Sequence, residues 1–184
     1  MRFPIFFLPG FLAAEECDRL RRLIDDVAKP SRLLTGDPDY RTSSSADLNQ
    51  LNDPTVQSIE RRVALTVGVP PSRCEGLQGQ RYLVGEYYRE HCDAFHPETP
   101  EFDSFVPERG QRTWTAMIYL NEPEVGGATT FPELGVTVRP RQGLAIVWYN
   151  LTAARRPHPL SRHSAEPVKA GSKYIVTAWF REGT

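Results

Sequence analysis

The 184-residue sequence is short of cysteine, has no long apolar run and carries no excess of either charge. Each shortage excludes a class of protein. Only three cysteines occur, Cys17, Cys74 and Cys92, with no C-x-x-C pair and an odd thiol left over. Neither a disulfide framework nor a zinc knuckle is encoded, and that usage fits a reducing cytoplasm. No uninterrupted apolar stretch reaches the roughly 20 residues that cross a bilayer. With 22 Lys and Arg against 23 Asp and Glu, the net charge of −1 offers no basic field to a nucleic-acid backbone or an anionic membrane. Neither nucleic acid nor membrane is expected as a partner. Turn chemistry, by contrast, is plentiful. The 16 Pro and 13 Gly exceed their usual combined share of about 12%, which disfavours an all-helical bundle. Hydrophobic residues at 40% and charged residues at 24% are the proportions of a folded globular chain. The length favours one domain over 1–184.

Arg2 followed by Phe3-Pro4-Ile5-Phe6-Phe7-Leu8 imitates a short signal sequence, but two prolines interrupt the run and Glu15-Glu16 lead straight into a helical pattern. A first strand is the better reading. From Ala13 to Ala28, Cys17, Leu20, Leu23, Ile24 and Val27 recur at spacings of three and four, one face of a helix. A second helix is predicted with Asp53 as N-cap, Pro54 as first residue, Val56, Ile59, Val63 and Val67 as its stripe, and Gly68 as its end. Residues 1–70 thus supply a strand and supporting helices, joined by a polar connection over 30–50. From Glu75 onward β-prone stretches follow one another at 80–88, 113–120, 136–138, 144–149 and 173–180, separated by Gly and Pro turns. No helical period is visible among them, and 97–111 reads as an acidic loop of the kind that forms lids. Two helices before many strands mean an α-supported sandwich or barrel, mainly β with flanking helices (α+β), with its core in 75–184.

His91-Cys92-Asp93 carries the first chemical signal. On extended chain, residues two apart share a face and can offer an imidazole and a carboxylate to one metal ion. His163 supplies a third ligand. Two histidines and a carboxylate form a facial triad with adjacent open positions, the arrangement of non-haem Fe(II) oxygenases, whereas zinc usually keeps fewer positions open. Lys173, ten residues beyond His163 across a Pro/Gly turn, can face the same cavity, and Ile175, Thr177 and Trp179 share its side of the strand. Its ammonium suits the far carboxylate of 2-oxoglutarate.

The string Arg81-Tyr82, Gly85, His91-x-Asp93-x-Phe95, Arg112, Tyr119-Leu120-Asn121, Gly126-Gly127-x-Thr129-x-Phe131, His163, Pro167-Val168, Gly171 and Lys173 resembles the prolyl 4-hydroxylase family of Fe(II)/2-oxoglutarate dioxygenases in order and spacing. The resemblance covers almost the whole chain and is to the compact bacterial or viral members. It implies a double-stranded β-helix, a distorted jelly roll, with His91, Asp93 and His163 as iron ligands and Lys173 on the C5 carboxylate of 2-oxoglutarate. Tyr82 and Thr177 would assist at the co-substrate, while Arg41, Ser43, Glu75, Tyr88, Arg112 and Trp148 would line a peptide groove. The implied reaction consumes O₂, with ascorbate as reductant. It decarboxylates 2-oxoglutarate to succinate and CO₂ and hydroxylates a C–H bond, foremost C4 of peptidyl proline. Related halogenases have a small residue at the carboxylate position, so Asp93 implies hydroxylation.

Other readings stand beside this one. A free amino acid or another small molecule could be the substrate, and a non-catalytic jelly roll that senses 2-oxoglutarate would need a similar pocket. Where relatives carry an acidic residue, 151–162 holds Arg155, Arg156 and Arg162, a solvated loop or a mark of an anionic substrate. Cys92 is expected as an inert buried thiol, Trp179 as packing, and His96 and His158 as surface residues. A monomer or small homo-oligomer is expected.

Overall fold

The computed structural model describes residues 3–31 and 39–183. Arg2 and positions 32–38 of the polar connection lie outside the described residues. The first strand, β1, is Ile5–Leu8, followed by helix α1 (Ala14–Val27) and two short strands, β2 (Lys29–Pro30) and β3 (Ser44–Asp47). Helix α2 (Pro54–Val67) leads to β4 (Cys74–Tyr82) and β5 (Tyr88–His91), and helix α3 (Pro100–Arg109) precedes β6 (Arg112–Tyr119). The remaining strands are β7 (Val125–Gly126), β8 (Thr129–Phe131), β9 (Val136–Val138), β10 (Ala145–Tyr149), β11 (His163–Ala165), β12 (Val168–Ala170) and β13 (Lys173–Arg181).

Local chemistry explains both supporting helices. Asp53 accepts the amides of Thr55 and Val56, Pro54 opens α2 without losing a needed donor, and Gly68 closes it at φ 67°. Ala13 has no capping oxygen, so the Glu16 carboxylate accepts its amide instead, at 2.9 Å. Arg19 of α1 reaches the same Asp53 at 2.7 Å and ties helix to helix. Leu20 and Ile24 of α1 and Ile59 and Val63 of α2 are buried on one face of a seven-stranded antiparallel sheet ordered β1-β10-β6-β13-β4-β3-β2. Each such side chain contributes about 1.5–3 kcal/mol of apolar burial. At Gly79 of β4 an added Cβ would lie 2.4 Å from Ile24, so α1 sits this close only over glycine.

The sheet's other face packs against a four-stranded antiparallel sheet, β5-β11-β8-β9, and Tyr82, Met117, Tyr119, Phe131, Ile146, Trp148 and Ile175 fill the space between. This is the expected jelly roll. Alternation along β13 separates its two faces: Tyr174, Val176, Ala178 and Phe180 join the helix-side core, and Ile175 and Thr177 face the inner cavity.

Two expectations are corrected. The stretch read as one strand over 80–88 is broken at 83–87, where Gly85 takes φ 86° and Glu86 accepts the Leu83 amide. The stretch 97–111, read as a loop, contains α3. Thr99 caps it, Pro100 opens it, Glu101 and Asp103 occupy its first turn and Arg109 its last. None of its residues is buried, so no apolar period betrayed it. Among the described residues, no helix is long and apolar enough to cross a membrane.

Candidate active site

Strands β5 and β11 pair antiparallel with His91 opposite His163, and Asp93 lies in the bend just past β5. The ligand-capable atoms of these three residues lie within 4.8 Å of one another, and they form the one such cluster among the described residues. His91 Nε2 is 3.8 Å from Asp93 Oδ1, and His163 Nε2 is 3.9 Å from Asp93 Oδ2. Backbone carbonyls set the tautomers. His91 Nδ1 lies 2.8 Å from the Arg89 carbonyl and His163 Nδ1 2.9 Å from that of Ser161. A carbonyl only accepts, so each Nδ1 carries the proton and each Nε2 presents a lone pair. Burial, aided by His163, pushes His91 down to about 3. Burial works to raise Asp93, but His163, His91 and Arg112 outweigh it and hold the carboxyl below its usual value. Two imidazoles beside a carboxylate are a donor set for a divalent cation.

Behind the triad, a narrow inner cavity is lined by Gln80, Tyr82, Met117, Thr129, Ile175 and Thr177, among others. Tyr82 donates its hydroxyl to Gln80 Oε1 at 2.8 Å, and Gln80 Nε2 donates to Thr177 Oγ1 at 3.1 Å. Lys173, paired across the ladder with Tyr82, is 0% exposed and its Nζ has no hydrogen-bond partner among the described residues. The ammonium lies 5.0 Å from the centroid of the Tyr82 ring and 5.6 Å from that of Tyr119. Burial pushes it down to about 7, with Glu166 opposing weakly. Gly127, at φ 71°, leaves room for the lysine stem, since a Cβ there would stand 3.2 Å from Lys173 Cδ. A buried cation without a partner is costly, and an anion is the group that would satisfy it.

A wider groove of about 990 Å³ opens on the other side of the triad. Arg41, Glu75, Tyr88 and Arg112 line it, with Tyr88 stacked on the His91 ring at 3.7 Å. Arg41 lies over Tyr88 and donates to Ser43 Oγ at 2.9 Å and Ser45 Oγ at 2.8 Å. Ser43 is buried, so it holds Arg41 and does not itself line the groove. Trp148 is likewise placed elsewhere. It is 0% exposed, edge-on to His163 at 4.8 Å, on the wall of the inner cavity.

Residues 77–181 match the model of the 2OG-Fe(II) oxygenase superfamily. The chain belongs to that superfamily. A protein of Acanthamoeba polyphaga mimivirus, provisionally named a prolyl 4-hydroxylase, is 33% identical over 96% of this chain and 74% of its own length. Prolyl 4-hydroxylase subunit alpha-1 of Rattus norvegicus is 37% identical over 87% of this chain, which spans about a third (32%) of that relative. Among solved structures, viral collagen prolyl hydroxylase from Paramecium Bursaria Chlorella virus-1, in its 2OG complex, superposes with a TM-score of 0.77 at 27% identity, covering 96% of this chain and 95% of its own. The superfamily works with Fe(II) and 2-oxoglutarate, and the triad and the buried ammonium fit those groups.

In this oxygenase several polar positions went unread in the sequence: Gln80, Thr115 and Asn150 are buried polar residues inside or at the end of apolar strands. That misfit with the strand pattern is the signal that could have found them. Trp179, expected as packing, lines both cavities, and Arg112 stacks over it at 4.3 Å. Cys92, expected buried on the opposite face, is half-buried on the groove. His96 is exposed as read, whereas His158 is half-buried, its Nδ1 accepting the Leu160 amide. The three arginines of 151–162 all meet carboxylates: Arg155 pairs with Glu182, Arg156 with Glu98 at 3.5 Å and Arg162 with Glu90 at 4.0 Å. They do not form an unpaired cationic mouth.

Glu75 anchors the groove floor. It accepts Arg112 Nε and Nη2, each at 2.7 Å, and also pairs with Arg181, while Arg112 Nη1 donates to the Asp93 carbonyl at 3.3 Å. Glu75→Ala strands two guanidinium groups. The expected loss is roughly 2–4 kcal/mol, somewhat below the ~3–5 kcal/mol for a fully buried pair, read from the midpoint of urea unfolding.

Proposed function

We propose that this protein is a 2-oxoglutarate-dependent dioxygenase that hydroxylates a C–H bond of a peptide, foremost C4 of a prolyl residue. The observation that carries this is the clustered His91–Asp93–His163 donor set together with the buried Lys173 ammonium, which has no hydrogen-bond partner among the described residues. Fe(II) on the triad supplies coupled oxidation by O₂: 2-oxoglutarate becomes succinate and CO₂, and one oxygen atom enters the substrate C–H bond. This chain's residues do the rest. The backbone-held imidazoles offer Nε2 and Asp93 its carboxylate to the ion. Lys173 pairs with the C5 carboxylate of the co-substrate, and Tyr82 and Thr177 offer it hydroxyls. Packed aromatic walls exclude water from the inner cavity.

Arg41, Tyr88 and Arg112 orient the substrate, with Ser43 and Glu75 holding the two arginines in place. The groove's volume and its mixed aromatic and guanidinium lining suit a peptide segment more than a small acid, and the named activities of the viral and rat relatives agree. Ascorbate as reductant belongs to the same reading.

Incubating the Fe(II)-loaded protein with 2-oxoglutarate and a panel of proline-rich peptides tests it, with succinate release and a one-oxygen mass gain as readouts. Succinate together with a modified prolyl residue is expected. Succinate without peptide modification keeps the oxygenase and removes the prolyl assignment. No succinate with any peptide rejects catalysis in favour of a sensor.

A further inference from the structure

Thr115 and Asn150 touch neither cavity, yet both are 0% exposed polar residues joined to the triad. Thr115, on β6, donates Oγ1 to Asp93 Oδ2 at 2.7 Å. Asn150, one residue past β10, donates Nδ2 to Thr115 Oγ1 at 2.8 Å. The direction of this chain is forced. An ionised carboxylate is acceptor-only, so the threonine proton must point at Asp93. The threonine oxygen can then only accept, so the amide nitrogen of Asn150 must face it. That orientation turns the amide oxygen away, and Asn150 Oδ1 is buried with no partner among the described residues. An unsatisfied buried acceptor costs roughly 1–3 kcal/mol, and that cost, borne within a hydrogen-bond chain that ends on Asp93, points to function there.

We propose that Thr115 and Asn150 are positioning residues for Asp93, a one-way hydrogen-bond relay that fixes the plane of its carboxylate and occupies Oδ2. Oδ1 is left as the freer oxygen for a divalent cation, which favours ligation through one oxygen and keeps the neighbouring positions open. Asn150 also roots the relay in the loop that delivers the third ligand. Its amide donates to the Thr113 carbonyl, and its own carbonyl accepts the His158 amide, each at 2.7 Å, five residues before His163. The relay thus braces Asp93 against the segment that returns to His163. The inference rests on the reading of His91, Asp93 and His163 as metal ligands.

Co(II) titrated alone into the metal-free protein, without 2-oxoglutarate, separates the two. Calorimetry gives the affinity and the visible spectrum reports the coordination. Thr115→Val, nearly the same shape without the hydroxyl, is expected to weaken Co(II) by about 10- to 100-fold and to shift its bands. Thr115→Ser restores both. Asn150→Ala, which leaves the Thr115 hydroxyl free to turn, moves affinity and spectrum in the same direction by less, and reads the relay if the valine variant does not fold. Wild-type affinity within about twofold and an unchanged spectrum in Thr115→Val, or in Asn150→Ala should only that variant fold, overturn the relay. A wild-type protein that binds no Co(II), or a His163→Ala variant that binds it as well as wild type, overturns the metal site and the relay with it.

Discussion

Replacing His163 by alanine is expected to abolish succinate release and to lower Fe(II) affinity by more than the ~10–100-fold that loss of a supporting hydrogen bond costs. Two ligands remain, and among the described residues no other histidine, cysteine or carboxylate belongs to the cluster to stand in. The missing ring also opens the wall between Trp148 and Phe131, whose rings lie 4.8 and 5.6 Å from the imidazole. Fe(II) titration followed by calorimetry, alongside a succinate assay, measures both losses. Retained turnover would remove His163 from the ligand set.

The second large effect belongs to Lys173. A charge-assisted hydrogen bond is worth about 1.5–3 kcal/mol, so Lys173→Met is expected to weaken 2-oxoglutarate by roughly 10- to 150-fold while leaving Fe(II) binding intact. The same change should stabilise the ligand-free protein, because methionine fills similar space without a buried charge. Each kcal/mol gained appears as about 2–4 °C in Tm for a chain of this size.

The pH dependence follows from a folded value of about 7 against the ordinary 10.5. Between these values the unfolded lysine holds a proton that the folded one lacks, so from this group alone the ligand-free protein gains stability as pH rises from 7 towards 10. Below pH 7 the full penalty is present. Lys173→Met removes that slope. Co-substrate binding runs the other way: above pH 7 the lysine must take up a proton to pair with the dicarboxylate, so affinity falls with rising pH, by up to about tenfold per unit. Calorimetry in buffers of different ionisation heat counts that proton. An affinity flat from pH 7 to 9 would place the co-substrate elsewhere.

What could be read in the sequence was what strand and helix periods encode. Asp53, Pro54 and Gly68 announced α2 because capping is local chemistry, and His91, Asp93 and His163 come together because β5 and β11 pair with the two histidines opposite one another. Helix α3 was hidden since no apolar stripe faces a core, although Thr99-Pro100-Glu101 carried a start signal. The pairing of Arg155, Arg156 and Arg162 was invisible because their carboxylates come from remote parts of the chain. Trp148 was placed in the groove because the strand pattern gives its neighbours and not its depth. Thr115 and Asn150 stand out as polar residues in and just past apolar strands, but only their hydrogen bonds tie them to Asp93.

The facing positions of His91 and His163 on β5 and β11 would give a bound ion a task besides chemistry. A slip of one residue between these short strands would swing an imidazole to the opposite side of the sheet and leave a cation with half its nitrogen donors. An ion held by both imidazoles would therefore act as a register lock, selecting one alignment of this short ladder, and the folded state would gain by mass action whatever that selection is worth.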